Sequence, residues 1–314
     1  MKNDRFIAAA LLICIASMMC ATGEGATGQC GGHADRSAML VSTSWLAEHL
    51  RDANLVVVAI GDKKDYDQGH IPGSLFAPET DFYGKGPTGL KVELLPMDQL
   101  ASVLGKLGVT NESHIVLYQM KNWFYSTMRV YLTLDAIGLG MHTSLLDGGL
   151  GQWTKEGRAV STEAPNARPG VVTPCPVNDV ITDLAYVSTH VKRPGFAIVD
   201  ARNIVFYSGE RQAAPELRLG HIPGAGSLPF NSLVDENGKW KSSQELQGLF
   251  QAAGVKTGDQ VVSYCHVGLQ ASAVYFAARY LGFDARMYDG SWEEWSAHKE
   301  LPVESSPGVA PAKQ

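Results

Sequence analysis

The sequence predicts an α/β fold laid down twice, each copy a mainly parallel sheet flanked by helices. Three observations predict it: short β-branched runs alternate with helical periodicities, a set of landmarks recurs in one order in both halves, and a Pro-rich stretch separates them. At 314 residues the chain exceeds what one core usually serves, which favours two domains. Gly69-His70-Ile71-Pro72-Gly73-Ser74 returns as Gly220-His221-Ile222-Pro223-Gly224-Ala225. Leu146-Asp147-Gly148-Gly149 with Trp153 returns as Tyr288-Asp289-Gly290-Ser291 with Trp295. Two copies of so long a unit indicate duplicated domains, not a solenoid. The expected limits are 38–157 and 179–304, joined by a linker over 158–178 that carries Pro165, Pro169, Pro174 and Pro176.

In the first half, Leu55 to Val58 and His114 to Tyr118 have the length and β-branching of buried strands. Helical patterns run from Trp45 to Leu50 after the candidate caps Ser42 and Thr43, from Met97 to Leu107, and from Ser126 to Ile137. In the second half, Phe196 to Val199 and Gln260 to Tyr264 read as strands, and Ser243 to Ala253 and Ala271 to Leu281 as helices. Strands alternating with helices imply a parallel sheet covered on both faces. Function in such sheets gathers beyond the carboxyl ends of the strands.

The N-terminus has a different character. Lys2 and Arg5 precede an apolar run from Phe6 to Met19, and small residues follow from Ala21. The run is shorter than the roughly 20 apolar residues of a spanning helix, so residues 1–23 read as a secretory signal peptide and the mature chain is expected in the periplasm or outside the cell. Cys20 offers an alternative, a lipid anchor, and with it the one membrane association expected; Met19 before it is larger than the residue such a site normally carries. Of five cysteines, Cys14 and Cys20 fall in the leader, leaving Cys30, Cys175 and Cys265. Cys30 and Cys175 have the option of pairing in an oxidising compartment, which leaves Cys265 free. A net charge of −6 without a basic cluster argues against a nucleic-acid surface. No Gly-rich nucleotide loop or metal-ligand cluster is visible, so neither cofactor nor metal is expected.

Cys265 is the candidate nucleophile. It follows the strand Gln260 to Tyr264 and opens the loop His266-Val267-Gly268-Leu269-Gln270 before a helix begins at Ala271-Ser272. A strand that feeds a helix through a tight loop turns successive N–H groups, and the positive end of the helix dipole, toward the loop's centre, where they favour a thiolate. A buried core cysteine is the plainer reading, but a core position needs no Gly268 and no compact loop behind it. Asp200 and Arg202 stand at the end of the Phe196 strand, facing the same site. His70 and His221 recur in both copies, one of which lacks the cysteine, so they are expected to be structural. Trp153 and Trp295 are expected to anchor their cores, and Ser272 either to hydrogen-bond near the thiolate or, the safer reading, to cap the helix.

These residues resemble the rhodanese superfamily, specifically its tandem-domain sulfurtransferases, in which an inactive first domain precedes a catalytic second one. The resemblance covers Val41 to Val303 and rests on the paired Gly-His-Ile-Pro-Gly turns, Asp200-Ala201-Arg202, the Cys265 loop, and Tyr288-Asp289-Gly290-Ser291-Trp292 with Trp295. It implies that Cys265 takes a sulfane sulfur from a donor such as thiosulfate, carries it as a persulfide and passes it to a thiol or cyanide. The amides and side chains of His266, Val267, Gly268, Leu269, Gln270, Ala271 and Ser272, with Arg211, are then the expected substrate contacts, and Asp200 and Arg202 the loop supports. Aligning Tyr118 with Tyr264 puts Gln119 at the place of Cys265 and Ala59 at that of Asp200, so the first copy is expected to be inactive and to form one wall of an interdomain cleft. One departure stands out. Thiosulfate-using relatives carry charge where this chain has Val267 and Phe206, leaving His266, Arg211 and Arg218 as the candidates to compensate.

The loop Cys-His-Val-Gly also departs from the Cys-Gly-Ser/Thr-Gly of relatives that prefer 3-mercaptopyruvate, which remains an alternative donor. A phosphatase or arsenate reductase on this fold needs a longer loop closed by an arginine, whereas the next arginine here is Arg279. A non-catalytic persulfide-binding or interaction protein is the reading from another class; the retained thiol disfavours it.

Overall fold

The computed structural model describes residues 35–306 apart from 87, 122, 123 and 166. The expected leader, its Cys14 and Cys20, and Cys30 lie outside the described residues. The first unit contains β1 (Leu40–Val41), β2 (Leu55–Ile60), β3 (Leu75–Ala77), the short antiparallel pair β4 (Tyr83–Gly84) and β5 (Glu93–Leu94), β6 (His114–Gln119) and β7 (Thr143–Leu146). Its helices are α1 (Arg36–Met39), α2 (Thr43–His49), α3 (Lys63–Gln68), α4 (Met97–Lys106), α5 (Phe124–Ala136) and α6 (Gly149–Lys155). The second unit has β8 (Ile181–Thr182), β9 (Phe196–Asp200), β10 (Gly226–Ser227), β11 (Gln260–Tyr264) and β12 (Asp284–Tyr288). It carries α7 (Leu184–His190), α8 (Ile204–Tyr207), α9 (Ser243–Ala252), α10 (Ala271–Leu281) and α11 (Ser291–Ala297).

Each unit is a five-stranded parallel sheet, ordered β1-β7-β6-β2-β3 in the first and β8-β12-β11-β9-β10 in the second. The two orders correspond strand for strand. In the second sheet the chain runs outward from β9 to β10 and then crosses back to β11 on the other side of β9. The crevice at the carboxyl ends of β9 and β11 is therefore the switch point where α/β sheets bind ligands. Register confirms the internal alignment: Tyr118 pairs with Ala59 across β6 and β2, and Tyr264 with Asp200 across β11 and β9.

The repeated Gly-His turns are structural. His70 bridges Ser161 and His221 bridges Glu304, so each turn ties down the segment that leaves its unit's last helix. Both imidazoles stack on a tyrosine, His70 on Tyr66 at 3.9 Å and His221 on Tyr207 at 3.8 Å. Trp153 and Trp295 are buried and donate to the carbonyls of Ala159 and Pro302 in those same exit segments. Ser42, not Thr43, caps α2, its hydroxyl accepting from Trp45 N–H. Cys175 in the linker is disulfide-bonded, and Cys265 is the free cysteine among the described residues.

The units share one core. A continuous apolar cluster runs from Met39, Leu100 and Leu132 of the first to Val261, Phe276 and Met287 of the second. It is closed by α5 lying against α10, with Tyr131 edge-on to Phe276 at 4.9 Å. Every residue of α10 from Ala271 to Ala278 is buried, the mark of a helix covered on all sides.

Candidate active site

Cys265 follows the last residue of β11, at the switch point, and is fully buried. The loop behind it is held by its carbonyls. The Cys265 carbonyl accepts from Trp292 N–H at 3.0 Å and that of His266 from Glu293 N–H at 3.0 Å, both in the first turn of α11. The Gly268 carbonyl accepts from the Ser272 hydroxyl at 3.0 Å. In a trans peptide the N–H points opposite to the C=O, so bonds that fix these carbonyls on one side present the N–H groups of His266, Val267 and Leu269 on the other. Among the described residues, none of the N–H groups from His266 to Ala271 is taken by an acceptor. Gly268 permits the turn with φ of +85°.

Asp200 and Arg202 support the strand ends beneath this loop. Both are buried, and Asp200 accepts from Arg202 Nε at 2.9 Å, Nη2 at 2.6 Å and the backbone N–H at 2.9 Å. It also accepts from the Tyr264 hydroxyl at 2.7 Å, and Tyr264 is the residue before the thiol. Arg202 gives its remaining bond to the Gly220 carbonyl at 2.7 Å and lies over the Trp292 ring at 4.6 Å. Burial works against the guanidinium, but the Asp200 charge and its hydrogen bonds more than offset that and hold Arg202 above the ordinary arginine value.

The structure sorts the three cations nominated to compensate for Val267 and Phe206. Burial, with the Arg202 charge adding to it, pushes His266 down to about 4, so at neutral pH it carries no charge; its Nδ1 is buried without a hydrogen-bond partner. Arg218 is spent on the C-terminus of α11, donating to the carbonyls of Trp295, His298 and Leu301. Arg211 remains exposed, its guanidinium over the Phe206 ring at 5.7 Å, while that ring stands edge-on to His266 at 4.7 Å. The sequence expectation thus narrows to Arg211. Val267 and Leu269 are partly buried against the same core cluster that holds Cys265, as are Phe230 and Trp240. The Ser272 expectation also changes: its hydroxyl bonds the Gly268 carbonyl and does not cap α10, whose N-cap residue, Gln270, makes no side-chain cap.

Two residues escaped the sequence reading. Ser291 adopts φ of +49°, rare for a residue other than glycine; its hydroxyl accepts from Cys265 N–H at 3.2 Å and donates to the Tyr288 carbonyl at 3.0 Å. Its counterpart in the first unit is Gly149, where a Cβ would meet Gln119 Cδ at 2.6 Å. The signal was present as a Gly-to-Ser difference between the copies. The other is Arg129, on α5 of the first unit, which donates to Asp289 at 2.6 Å beside the Cys265 loop. Its counterpart by alignment, Tyr275, gave no hint. No group of three or more His, Cys, Asp or Glu placed to hold a metal occurs among the described residues.

The first unit packs against this region of the second. Phe124 packs on Trp240 at 5.3 Å and Tyr125 edge-on to Phe230 at 6.0 Å. Lys91 pairs with Glu293 at 3.0 Å.

Comparison with known proteins gives a consistent picture. Residues 42–156 and 183–298 each match the family described as Rhodanese-like domain. The sulfur carrier protein TtuD of Thermus thermophilus is 32% identical over 280 residues, 84% of this chain and 96% of that protein. A thiosulfate sulfurtransferase of Cricetulus griseus is 30% identical, covering 82% of this chain and 91% of its own. Among solved structures, the 3-mercaptopyruvate sulfotransferase SseA of Escherichia coli superposes with a TM-score of 0.70 at 28% identity, over 81% of this chain and 98% of that one. EanB with ergothioneine reaches 0.75 at 20% identity, a likeness of fold alone, covering 90% of this chain and 72% of EanB.

Proposed function

The chain belongs to the rhodanese-like family in both halves and is by that kinship a sulfurtransferase, and we propose that the sulfur travels on Cys265. The thiolate attacks the outer sulfur of a donor such as thiosulfate; the donor's S–S bond breaks and its electron pair leaves on sulfite. A persulfide remains on Cys265. A thiol or cyanide then attacks the outer persulfide sulfur, and the Cys265 thiolate is regenerated. This is covalent catalysis in two half-reactions. One observation supports it above the rest: the run of N–H groups from His266 to Ala271, left without acceptors around a thiol that follows the strand. Such a nest suits an anion, and both the thiolate and the persulfide are anions.

The donor is the finer question. Thiosulfate is a dianion, and Arg211 is the remaining cation nominated for it, so binding rests on the loop amides and one exposed guanidinium. 3-Mercaptopyruvate, with a single carboxylate, asks less of the site. The first unit, with Gln119 where the thiol would be, does not carry sulfur. The N-terminal sequence supports export, because Lys2 and Arg5 followed by the Phe6 to Met19 run have the form of a cleaved leader.

Cys265→Ser tests the mechanism, since it removes the thiolate and almost no volume. Intact mass after thiosulfate treatment should show one added sulfur on the parent and none on the variant, and thiocyanate formation from cyanide should vanish. Turnover close to the parent's would sink the proposal. Release of nitrophenol from para-nitrophenyl phosphate by the parent would point to the phosphatase reading instead.

A further inference from the structure

Arg129 is fully buried in the domain that lacks the thiol, yet its guanidinium lies beside the loop that has it. Nη1 donates to Asp289 Oδ1 at 2.6 Å and stands 3.5 Å from the Gly268 carbonyl oxygen and 3.7 Å from the Met287 sulfur. Nε and Nη2 are buried with no acceptor. Stability does not explain this arrangement. Desolvating a guanidinium is costly, one carboxylate with two orphaned donors offsets that poorly, and apolar replacements of buried pairs are often neutral or stabilising. Bridging the two domains does not explain it either, because Lys91 with Glu293 and Asp147 with the Trp240 N–H already do so.

The Cys265 loop supplies the missing reason. A Cβ at Gly268 would stand 3.1 Å from Arg129 Nη1 and 3.1 Å from the Asp289 carbonyl, so the loop is packed directly on the pair. What orients the Gly268 carbonyl also aims the Leu269 N–H, its opposite across the same peptide. The Asp289 carboxylate lies equally near, its Oδ1 3.3 Å from the same Cβ position, so the pair acts on the loop through its fixed geometry and not through a net charge.

We infer that Arg129 is a positioning residue for the Cys265 loop, supplied in trans by the domain without a thiol: paired with Asp289, it steadies the Gly268 carbonyl from behind and thereby aims the Leu269 N–H at the anion. The inference rests on Cys265 being the sulfur-carrying nucleophile. The test uses the full-length chain. Arg129→Met combined with Asp289→Asn removes both charges and leaves no buried ion unpaired, so the protein should melt near the parent's temperature. Alkylation of Cys265 by iodoacetamide at one near-neutral pH, and single-turnover sulfur loading from thiosulfate, should nonetheless slow by about tenfold. Arg129→Lys keeps the charge and should stay within about threefold of the parent, a rescue that a purely steric role would not give. Parental rates in the folded double variant overturn the inference, as does a loss in Arg129→Lys as large as in the double variant. If the double variant fails to fold, Arg129→Gln replaces it under the same criteria. Cys265→Ser is the control for the underlying reading: sulfur loading by that variant refutes the nucleophile assignment, whereas its loss together with parental rates in the double variant refutes the role of Arg129 alone.

Discussion

Asp200→Ala should be among the most damaging single changes in the second domain, and the structure gives the size. The carboxylate is fully buried and takes bonds from Arg202 Nε, Nη2 and N–H and from the Tyr264 hydroxyl. Its removal leaves a buried guanidinium with the Gly220 carbonyl and the face of Trp292. Stranding one member of a buried pair costs about 3–5 kcal/mol, a large share of the roughly 5–15 kcal/mol that holds a typical protein together. At about 2 °C per kcal/mol for a chain this long, the melting temperature should fall by about 6–10 °C. The first domain shows the loss is repairable. There Ala59 and Gly61 occupy the two places, and the Tyr118 hydroxyl bonds Ser74 Oγ at 2.7 Å and Ile71 N–H at 3.3 Å, so the strand ends without any pair. Asp200→Ala with Arg202→Met should therefore recover at least half of the loss. Urea unfolding followed by tryptophan fluorescence reads both. A single variant within about 1 kcal/mol of the parent, or a double variant no better than the single, would refute the reasoning.

His266 should make the protein acid-sensitive. Its imidazole is protonated below about pH 6.5 in the unfolded chain but only below about 4 in the folded one; the unfolded state binds more protons in between, and stability falls as pH drops through that window, by about 2 kcal/mol for a half-buried ring. His266→Asn should flatten that slope in urea titrations, and an unchanged slope counts against it. Asp135 acts with the opposite sign: burial, partly opposed by its bond from Tyr275, raises its carboxyl to about 6, so its favourable contribution is full at acid pH and is lost as pH rises through 6. Asp135→Asn should remove that loss, measured by the same titration. Gln119→Cys should gain no persulfide by intact mass, because Ala59 and Gly149 stand where the second domain has Asp200 and Ser291. Val267→Lys should lower the Michaelis constant for thiosulfate, most at low ionic strength where screening is weak; an unchanged constant in a folded variant would mean that Val267 does not face the donor.

What the sequence revealed and what it hid follow from how each feature is encoded. The central strands were visible because Val56-Val57-Val58 and Val261-Val262 are uninterrupted β-branched runs, though β2 and β9 continue further, to Ile60 and Asp200. Strands β7 and β12 were missed because polar residues break their pattern. Thr143 and Ser144 are buried with their hydroxyls bonded to the Leu139 and Ala38 carbonyls, and Arg286 lays its guanidinium on the Tyr186 ring at 4.9 Å. The Cys265 loop was legible as a strand-to-helix connection because it is contiguous. Arg129 was not, since it meets the loop across a domain boundary and sits on a helix buried on nearly every side, where periodicity carries no direction. The neutrality of His266 likewise depends on burial and on Arg202, neither of which can be read from the residue beside it.

The duplicated aspartates show how the two domains are joined. Asp147 and Asp289 end equivalent strands, and each is turned to the other domain: Asp147 takes the Trp240 N–H at 2.9 Å and faces Lys239 at 3.7 Å, while Asp289 takes Arg129. Freed of the need for a compact anion-binding loop, the first copy fills the space after Gln119 with Phe124 and Tyr125, which meet Trp240 and Phe230. The second copy could not make that exchange without losing the free amides around Cys265. It instead keeps α10 apolar on its outer side, where α5 and α1 of the first domain pack on it, and the two domains complete one core. The two copies thus differ in what they offer each other, the second keeping a compact loop with free amides after β11 while the first supplies apolar cover and the buried Arg129 that meets Asp289.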